Sequence, residues 1–121
     1  MNLIRVAACF SMLAFLPACS HDGDCDIIDV RDYPSPDGSY VLTSFGYTCY
    51  DTTGNDMHLQ LRRPSDKLSV PGNVCTVLFA GDFSVFWISP TNLSIRVHGQ
   101  ATEPPRNVMG VAVTFTNTQS K

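Results

Sequence analysis

The sequence of 121 residues lacks a hydrophobic run long enough to cross a bilayer, which takes about 20 apolar residues. An apolar stretch does occupy positions 6–16, but Pro17 ends it early, so we expect no permanent transmembrane helix. The chain also lacks a sustained helical period in its hydrophobic residues. This second absence predicts an all-β architecture.

Motifs for metal binding and for nucleophilic catalysis are missing as well. The chain has no Cys-x-x-Cys and no His-x-x-x-His pair, which are spacings typical of zinc sites. It has no Gly-x-Ser-x-Gly elbow of the kind that positions a serine nucleophile. His21 lies in a polar N-terminal segment, and His58 and His98 lie on the polar faces of two predicted strands. We therefore expect no catalytic residues, no metal site and no cofactor.

Positive charge is scarce, with 8 Lys and Arg against 11 Asp and Glu. An acidic balance without a basic stripe argues against a nucleic-acid partner. It also argues against binding to anionic lipid by charge. Attachment to a membrane would therefore need another chemistry.

The first nineteen residues supply that chemistry. Arg5 gives a positive start, an apolar run follows, and Ala18 precedes a candidate cleavage point, as in an export signal. Leu16 is too large for the position that an ordinary signal peptidase reads, whereas Leu-x-Ala-Cys resembles the lipobox of bacterial lipoproteins. We expect residues 1–18 to be the signal peptide and Cys19 to be lipidated, with a freely secreted product as the alternative.

Sorting and tethering follow from the next few residues. Ser20 stands where an aspartate would mark retention in the inner membrane, so the expected location is the outer membrane, facing the periplasm. Three acyl chains, at ~0.8 kcal/mol per buried methylene, make release negligible. Residues 19–26 are then the lipidated cysteine and a short acidic tether.

Residues 27–117 are predicted to form one β domain, followed by a frayed tail at 118–121. Hydrophobic residues alternate with period two, and turn residues separate the runs. About seven short strands are predicted, as in a small antiparallel sandwich or open barrel. They cover 28–30, 40–49, 57–62, 73–80, 83–88, 93–98 and 109–115.

Several local expectations accompany these strands. Ser35 to Gly38 fits a type I turn. The strand 57–62 has an apolar face and a polar face that includes Gln60, and Met109 is expected to point inward in the last strand. Phe86 and Ile88 are expected to be buried on the second face of their strand, with an exposed apolar surface for a partner as the alternative.

The chain has five cysteines, of which Cys9 leaves with the signal peptide and Cys19 carries lipid. Cys25, Cys49 and Cys75 then face an oxidising compartment, where disulfides persist. Cys75 lies in an apolar run predicted to be a buried strand, where a free thiol acts as a small hydrophobe. This favours a disulfide between Cys25 and Cys49, and pairing of Cys49 with Cys75 is the alternative.

Aromatic and hydroxyl side chains concentrate beside Cys49. Tyrosine offers rigid contact area with a polar tip, which makes this loop a candidate recognition surface. The alternative is that a disulfide-braced turn uses these side chains for local hydrogen bonds. The residues are Tyr47, Tyr50, Asp51, Thr52 and Thr53.

The order of features resembles a family of small exported bacterial proteins that share a Pro-Ser-Pro-Asp-Gly-x-Tyr opening and a Cys-Gly-Ala-Thr-Thr segment. The matching residues here are 33–40, Cys49 with Thr52-Thr53, 72–74, Trp87 with 93–95, and 110–113. Tyr50-Asp51 replaces Gly-Ala. The resemblance implies a Cys25–Cys49 pair and an apolar setting for Cys75, and it implies no particular biochemical activity.

Together these observations predict a lipid-anchored protein of the bacterial envelope whose non-catalytic β domain binds a partner or has a structural role. Its contacts would be the membrane, through the N-terminal lipid, and an envelope protein. One alternative is an inhibitor-type lipoprotein that acts on a cell-wall hydrolase. Another is a periplasmic enzyme, which would require His58, His98 and an acidic residue to converge in a concave site.

Overall fold

The structure is a computed structural model that describes residues 25–49, 56–79 and 81–118. Within these ranges the chain forms eight strands and no helix. The strands are β1 (Cys25–Pro34), β2 (Val41–Cys49), β3 (Met57–Arg62), β4 (Cys75–Val77), β5 (Asp82–Ser89), β6 (Asn92–His98), β7 (Asn107–Val108) and β8 (Val111–Asn117). The all-β class is confirmed.

Two four-stranded sheets pack face to face in a sandwich-like arrangement that is not a closed barrel. One sheet has the order β1-β2-β3-β4 and the other β5-β6-β8-β7. Their facing sides share one apolar core, because alternate residues of each strand point toward the other sheet. Its largest buried members are Leu42, Leu59, Leu61, Leu93 and Ile95.

One strand pair departs from the antiparallel expectation. β8 runs parallel to β6, from Asn92↔Ala112 to Val97↔Asn117. Parallel neighbours need a crossover of about a dozen residues, and the segment 99–110 provides it. The segment returns along the sandwich, bridging Val77 at Ala101 and forming β7, the short strand that the sequence did not predict.

The strand directions place distinct residues at the two ends of the sandwich. Cys25 pairs with Cys49, Gly46 pairs with Met57, and Met57 in turn pairs with Val77. We call this the disulfide end. At the opposite end the Tyr40 hydroxyl donates a hydrogen bond to the Met109 carbonyl across the sandwich, at 3.1 Å.

The predicted Cys25–Cys49 disulfide is present, and Cys75 is free and buried. Because Cys25 is bonded and paired in register with Cys49, β1 begins there, two residues before the predicted start of the domain at 27. Residues 25 and 26 therefore belong to the sheet and not to the tether. Burial raises the pKa of the Cys75 thiol to about 11.

The turn after β1 forms as predicted, with the Gly38 amide donating to the Ser35 carbonyl at 3.0 Å. The Asp37 carboxylate accepts hydrogen bonds from the Ser39 amide and from the hydroxyls of Ser35 and Ser39. These donors lower the pKa of Asp37, the Ser39 amide most of all. The turn is thus held by its own side chains.

The polar face of β3 is not open to solvent as expected. Gln60 is only 7% exposed, because the following loop folds over it. Its amide donates to the Lys67 carbonyl, and its oxygen accepts from the Ser69 amide. Both polar atoms of the side chain are satisfied, which is what burial of an amide requires.

β4 is shorter than the predicted strand 73–80 and covers only Cys75–Val77. Before it, the Asn73 side chain takes the place of a strand backbone beside β3. Its oxygen accepts from the Leu61 amide at 2.7 Å, and its nitrogen donates to the Leu61 carbonyl at 2.9 Å. After it, Phe79 has a φ of 55° and is 73% exposed, so the strand has ended.

Two expectations of burial are wrong. Phe86 and Ile88 are 58% and 63% exposed, because β5 is an edge strand whose outer face no described element covers. The exposed apolar surface, which was the alternative, is therefore what the structure has. Met109 is 39% exposed, since it lies in the β7–β8 turn with a φ of 54° and not in a strand.

Gly72 allows a close approach of two chain segments, and its replacement by alanine should destabilise the fold. Gly72 has a φ of +89°, and an added Cβ would lie 2.7 Å from the Leu59 carbonyl oxygen. We expect Gly72→Ala to lower the free energy of unfolding by about 2 kcal/mol, measured by urea denaturation.

Gly38→Ala is the matched control. Gly38 also has a positive φ, +76°, but an added Cβ would meet nothing within 4 Å. Gly38→Ala should lower the free energy of unfolding by about 1 kcal/mol, because it adds only backbone strain. Equal losses for the two variants would show that the contact with Leu59 does not matter.

Candidate functional site

A cavity of about 460 Å³ lies at the side of the sandwich where the edge strands β1 and β5 meet. The Trp87 indole N–H of β5 donates to the Tyr33 carbonyl of β1 at 2.9 Å and links the two strands. Both sheets contribute to the walls. The lining residues are Asp29, Val30, Arg31, Tyr33, Ser44, Met57 and Phe83.

The cavity arises from the sizes of the side chains on the inner face of β2. That face has Leu42 toward the centre of the core, then Ser44, then Gly46. In register, Ser44 lies beside Arg31 of β1, and Gly46 lies opposite Met57 of β3. The small side chain of Ser44 leaves a space between the sheets, and the cavity occupies that space. Gly46 does not enlarge it, because the Ile28 side chain packs over this glycine, with Cγ1 3.2 Å from the position that a Cβ would take.

A β-bulge in β1 forms the adjacent wall. The register with β2 shifts between Ile28 and Arg31, which leaves Asp29 and Val30 without direct partners. Asp29 has a φ of 54°, a conformation that is uncommon for a residue other than glycine. Bulges redirect side chains at sheet edges, and here both bulged residues line the cavity.

Three polar groups of the cavity are unpaired. Within the described residues, no side-chain hydrogen bond or ion pair involves Asp29, Arg31 or the Ser44 hydroxyl. Ser44 is only 1% exposed, and it lines the cavity.

The neighbouring polar residues of β1, β2 and β3 differ, since they satisfy one another. Arg62 and Asp32 form an ion pair at 3.2 Å. The Thr43 hydroxyl donates to Asp32 at 2.8 Å and accepts from the Arg62 guanidinium at 2.9 Å. This network is structural, whereas the polar groups of the cavity remain free to meet a ligand.

The predicted recognition loop lies largely outside the described residues. Of its members only Tyr47 is described, and it is half-buried in β2, opposite Ile27 of β1. Cys19 and the loop residues Tyr50, Asp51, Thr52 and Thr53 lie outside the described ranges. Their roles in lipidation and recognition therefore stay predictions.

The two described histidines lie in different sheets. His58 of β3 has its Nδ1 3.1 Å from the Thr76 hydroxyl, and His98 of β6 has its Nδ1 3.3 Å from the Thr118 hydroxyl. Neither lines the cavity. In the ranges that the structure describes, no three His, Cys, Asp or Glu side chains form a group that could hold a metal ion.

The cavity was not predicted from the sequence. Its strongest signal is Ser44, a small polar residue on the inner face of a strand that is otherwise expected to carry large apolar residues there. The bulge at Asp29 and Val30 gives no comparable signal, because it depends on how β1 pairs with β2.

Neither a family model, nor a curated protein, nor a solved structure matches this chain. The resemblance to small exported bacterial proteins therefore stays a prediction. Among the described residues no helix is long and apolar enough to cross a membrane.

Proposed function

We propose that this chain is a lipid-anchored protein of the bacterial envelope whose β-sandwich binds a small ligand, without catalysis, in the cavity between β1 and β5. One observation supports the binding role above all. The cavity has two unpaired groups of opposite charge and a nearly buried, unpaired Ser44 hydroxyl. Cavities of about 300–1,000 Å³ with a few convergent polar groups are typical ligand sites.

The lining indicates the chemistry of the ligand. Arg31 offers a cation and Asp29 an anion at the same cavity, while Met57 and Phe83 offer apolar surface. A small molecule that carries both charges beside an apolar group would complement all of these. A free amino acid or short peptide with an apolar side chain has this chemistry. The volume of about 460 Å³ suits that size.

The anchor follows from the sequence. Lipidation at Cys19, six residues before Cys25, would hold the sandwich close to the outer membrane, facing the periplasm. Ligand binding would then take place at the membrane surface. Because the balance of charge is acidic, the acyl chains and not the protein's charge would provide attachment.

Replacement of Cys19 by alanine tests the anchor. We expect wild-type chain in the membrane pellet, with the mass of its N-terminal peptide raised by acyl chains, and Cys19→Ala in the soluble fraction. Cys9→Ala, inside the signal peptide, is the control and should leave the distribution unchanged. If Cys19→Ala stays in the membrane fraction, the chain is not held by a lipid on this residue.

The exposed Phe86 and Ile88 favour a second candidate function, the binding of another envelope protein. They form an apolar pair on the outer face of an edge strand, where a partner would exclude water. A cell-wall hydrolase bound and inhibited in this way belongs to the same class. In-cell crosslinking of a C-terminally tagged chain should capture one dominant partner, and Phe86→Ser with Ile88→Ser should abolish its capture.

A further inference from the structure

Phe79 is the most exposed large hydrophobic residue among those described, at 73%. Its φ of 55° lies in the left-handed region, which a bulky side chain rarely adopts. Residues held in such conformations cost conformational energy and are concentrated at functional positions. We therefore expect the exposed ring of Phe79 to be covered by a binding partner or surface.

Hydrogen bonds fix the segment that carries Phe79. The Phe79 amide donates to the Asp56 carboxylate at 3.1 Å, and the Leu78 amide donates to the Gln100 carbonyl at 2.8 Å. The Gly81 amide donates to the Leu78 carbonyl at 3.1 Å. Asp56 immediately precedes β3 and Gln100 follows β6, so hydrogen bonds link this segment to residues beside strands of both sheets.

The position of Phe79 relative to the N-terminus indicates what covers it. β4 ends at Val77, beside Met57, so Phe79 follows at the disulfide end. Cys25 lies at the same end, six positions after Cys19 in the sequence. Even in a fully extended chain, six positions span only about 20 Å. A lipid on Cys19 would therefore bring the disulfide end close to the bilayer.

We propose that the disulfide end lies on the lipid bilayer and that the Phe79 ring inserts into its interface. This inference rests on the proposed lipid anchor and adds a second, protein-made contact. Ile27 and Ile28, each 37% exposed, lie near the start of β1, on the opposite edge of the same sheet at this end.

The acidic residues near this end indicate that its contact with the bilayer is apolar and not electrostatic. Asp26 lies in β1, Asp56 precedes β3, and Asp82 begins β5. Carboxylates are repelled by anionic headgroups, so insertion should not increase with the anionic lipid content or fall with added salt.

Tryptophan fluorescence in vesicles tests the inference. Trp87 is the only tryptophan, so Trp87→Phe gives a silent background into which Phe79→Trp or Met109→Trp is introduced. Met109 is the matched control, since it is exposed at the opposite end of the sandwich. The full acylated chain is reconstituted into phosphatidylethanolamine–phosphatidylglycerol vesicles that contain a lipid brominated on the upper acyl chain.

We expect bromine to quench Phe79→Trp by roughly half, because an interfacial side chain lies ~5–10 Å into the headgroup boundary. Met109→Trp should be unquenched, and thermal unfolding should show that both variants are folded. Equal quenching of the two, or none at Phe79→Trp while the acylated chain floats with the vesicles, overturns the membrane contact alone. A chain whose mass shows no acyl groups overturns the anchor and this inference together.

Discussion

Replacement of Cys25 by serine should lower the free energy of unfolding by about 3 kcal/mol, and Cys49→Ser should do the same. The disulfide closes a loop between residues 24 apart in sequence, and without it the unfolded chain gains the entropy of that loop. A loss of this size is a large fraction of the stability of a small domain. Urea denaturation of the oxidised protein, followed by far-UV circular dichroism, measures it.

The same variants should also affect the cavity. β1 is an edge strand that pairs only with β2, and the disulfide joins the two at the first residue of β1. The bulge that brings Asp29 and Val30 to the cavity lies four residues further along. Loss of the disulfide should therefore let this end of β1 separate from β2, and ligand affinity should fall together with stability.

Wild-type protein unfolded in a reductant provides the control for the disulfide variants. It should show the same loss of stability as Cys25→Ser, since both remove the bond without altering the core. Thiol labelling of the unfolded, oxidised wild type should modify Cys75, the free cysteine of the described ranges. Labelling of Cys25, or a variant as stable as the oxidised wild type, would contradict the assignment.

Much of the fold could be predicted from the sequence, because the two-residue spacing of hydrophobic residues indicates where the strands are. Leu93, Ile95 and Val97 alternate with polar residues, and all three are fully buried in β6. The turn at Ser35 to Gly38 was also predictable, since each position has a residue suited to its backbone conformation. These signals are local, and the structure follows them.

The errors concern contacts that form between one strand and other parts of the chain. The sequence of β5 shows two apolar faces, but whether Phe86 and Ile88 are covered depends on whether another element packs on the outer face of the sheet, and no described element does. The parallel pairing of β8 with β6 depends on the path of the crossover segment between them. The spacing of hydrophobic residues does not indicate that path. Gln60 is buried by a loop that follows its strand, again a tertiary effect.

The candidate site could not be predicted from the sequence for a related reason. Single arginines and aspartates are common in protein sequences, and Arg31 and Asp29 belong to no recognisable sequence motif. Their significance comes from the bulge and from the small side chain of Ser44 on the neighbouring strand, which together give the cavity its polar lining. A site made by packing can be found only once the packing is known.

Binding of phenylalanine, measured by isothermal titration calorimetry, tests the assignment of the cavity. Phenylalanine carries both charges beside an apolar ring, N-acetylphenylalanine lacks the cation, and phenylalaninamide lacks the anion. We expect phenylalanine to bind most tightly. Arg31→Gln should lower the affinity for phenylalanine and for N-acetylphenylalanine about fivefold, since a partly exposed ion pair contributes up to ~1 kcal/mol. Its effect on phenylalaninamide should be small.

Filling the cavity should have the larger effect. Ser44→Leu places an apolar side chain in the space that the ligand would occupy. A steric cost like that of overpacking, ~1–3 kcal/mol, corresponds to a loss of roughly 5- to 150-fold in affinity for all three ligands. Arg96→Gln repeats the change made at Arg31, and Thr114→Leu likewise replaces a hydroxyl residue by leucine; both positions are exposed and outside the cavity, so affinity should be unchanged. Thermal unfolding must show that each variant is folded. Equal binding of the three ligands, or equal losses in the cavity variants and their controls, would show that the cavity does not select a zwitterion.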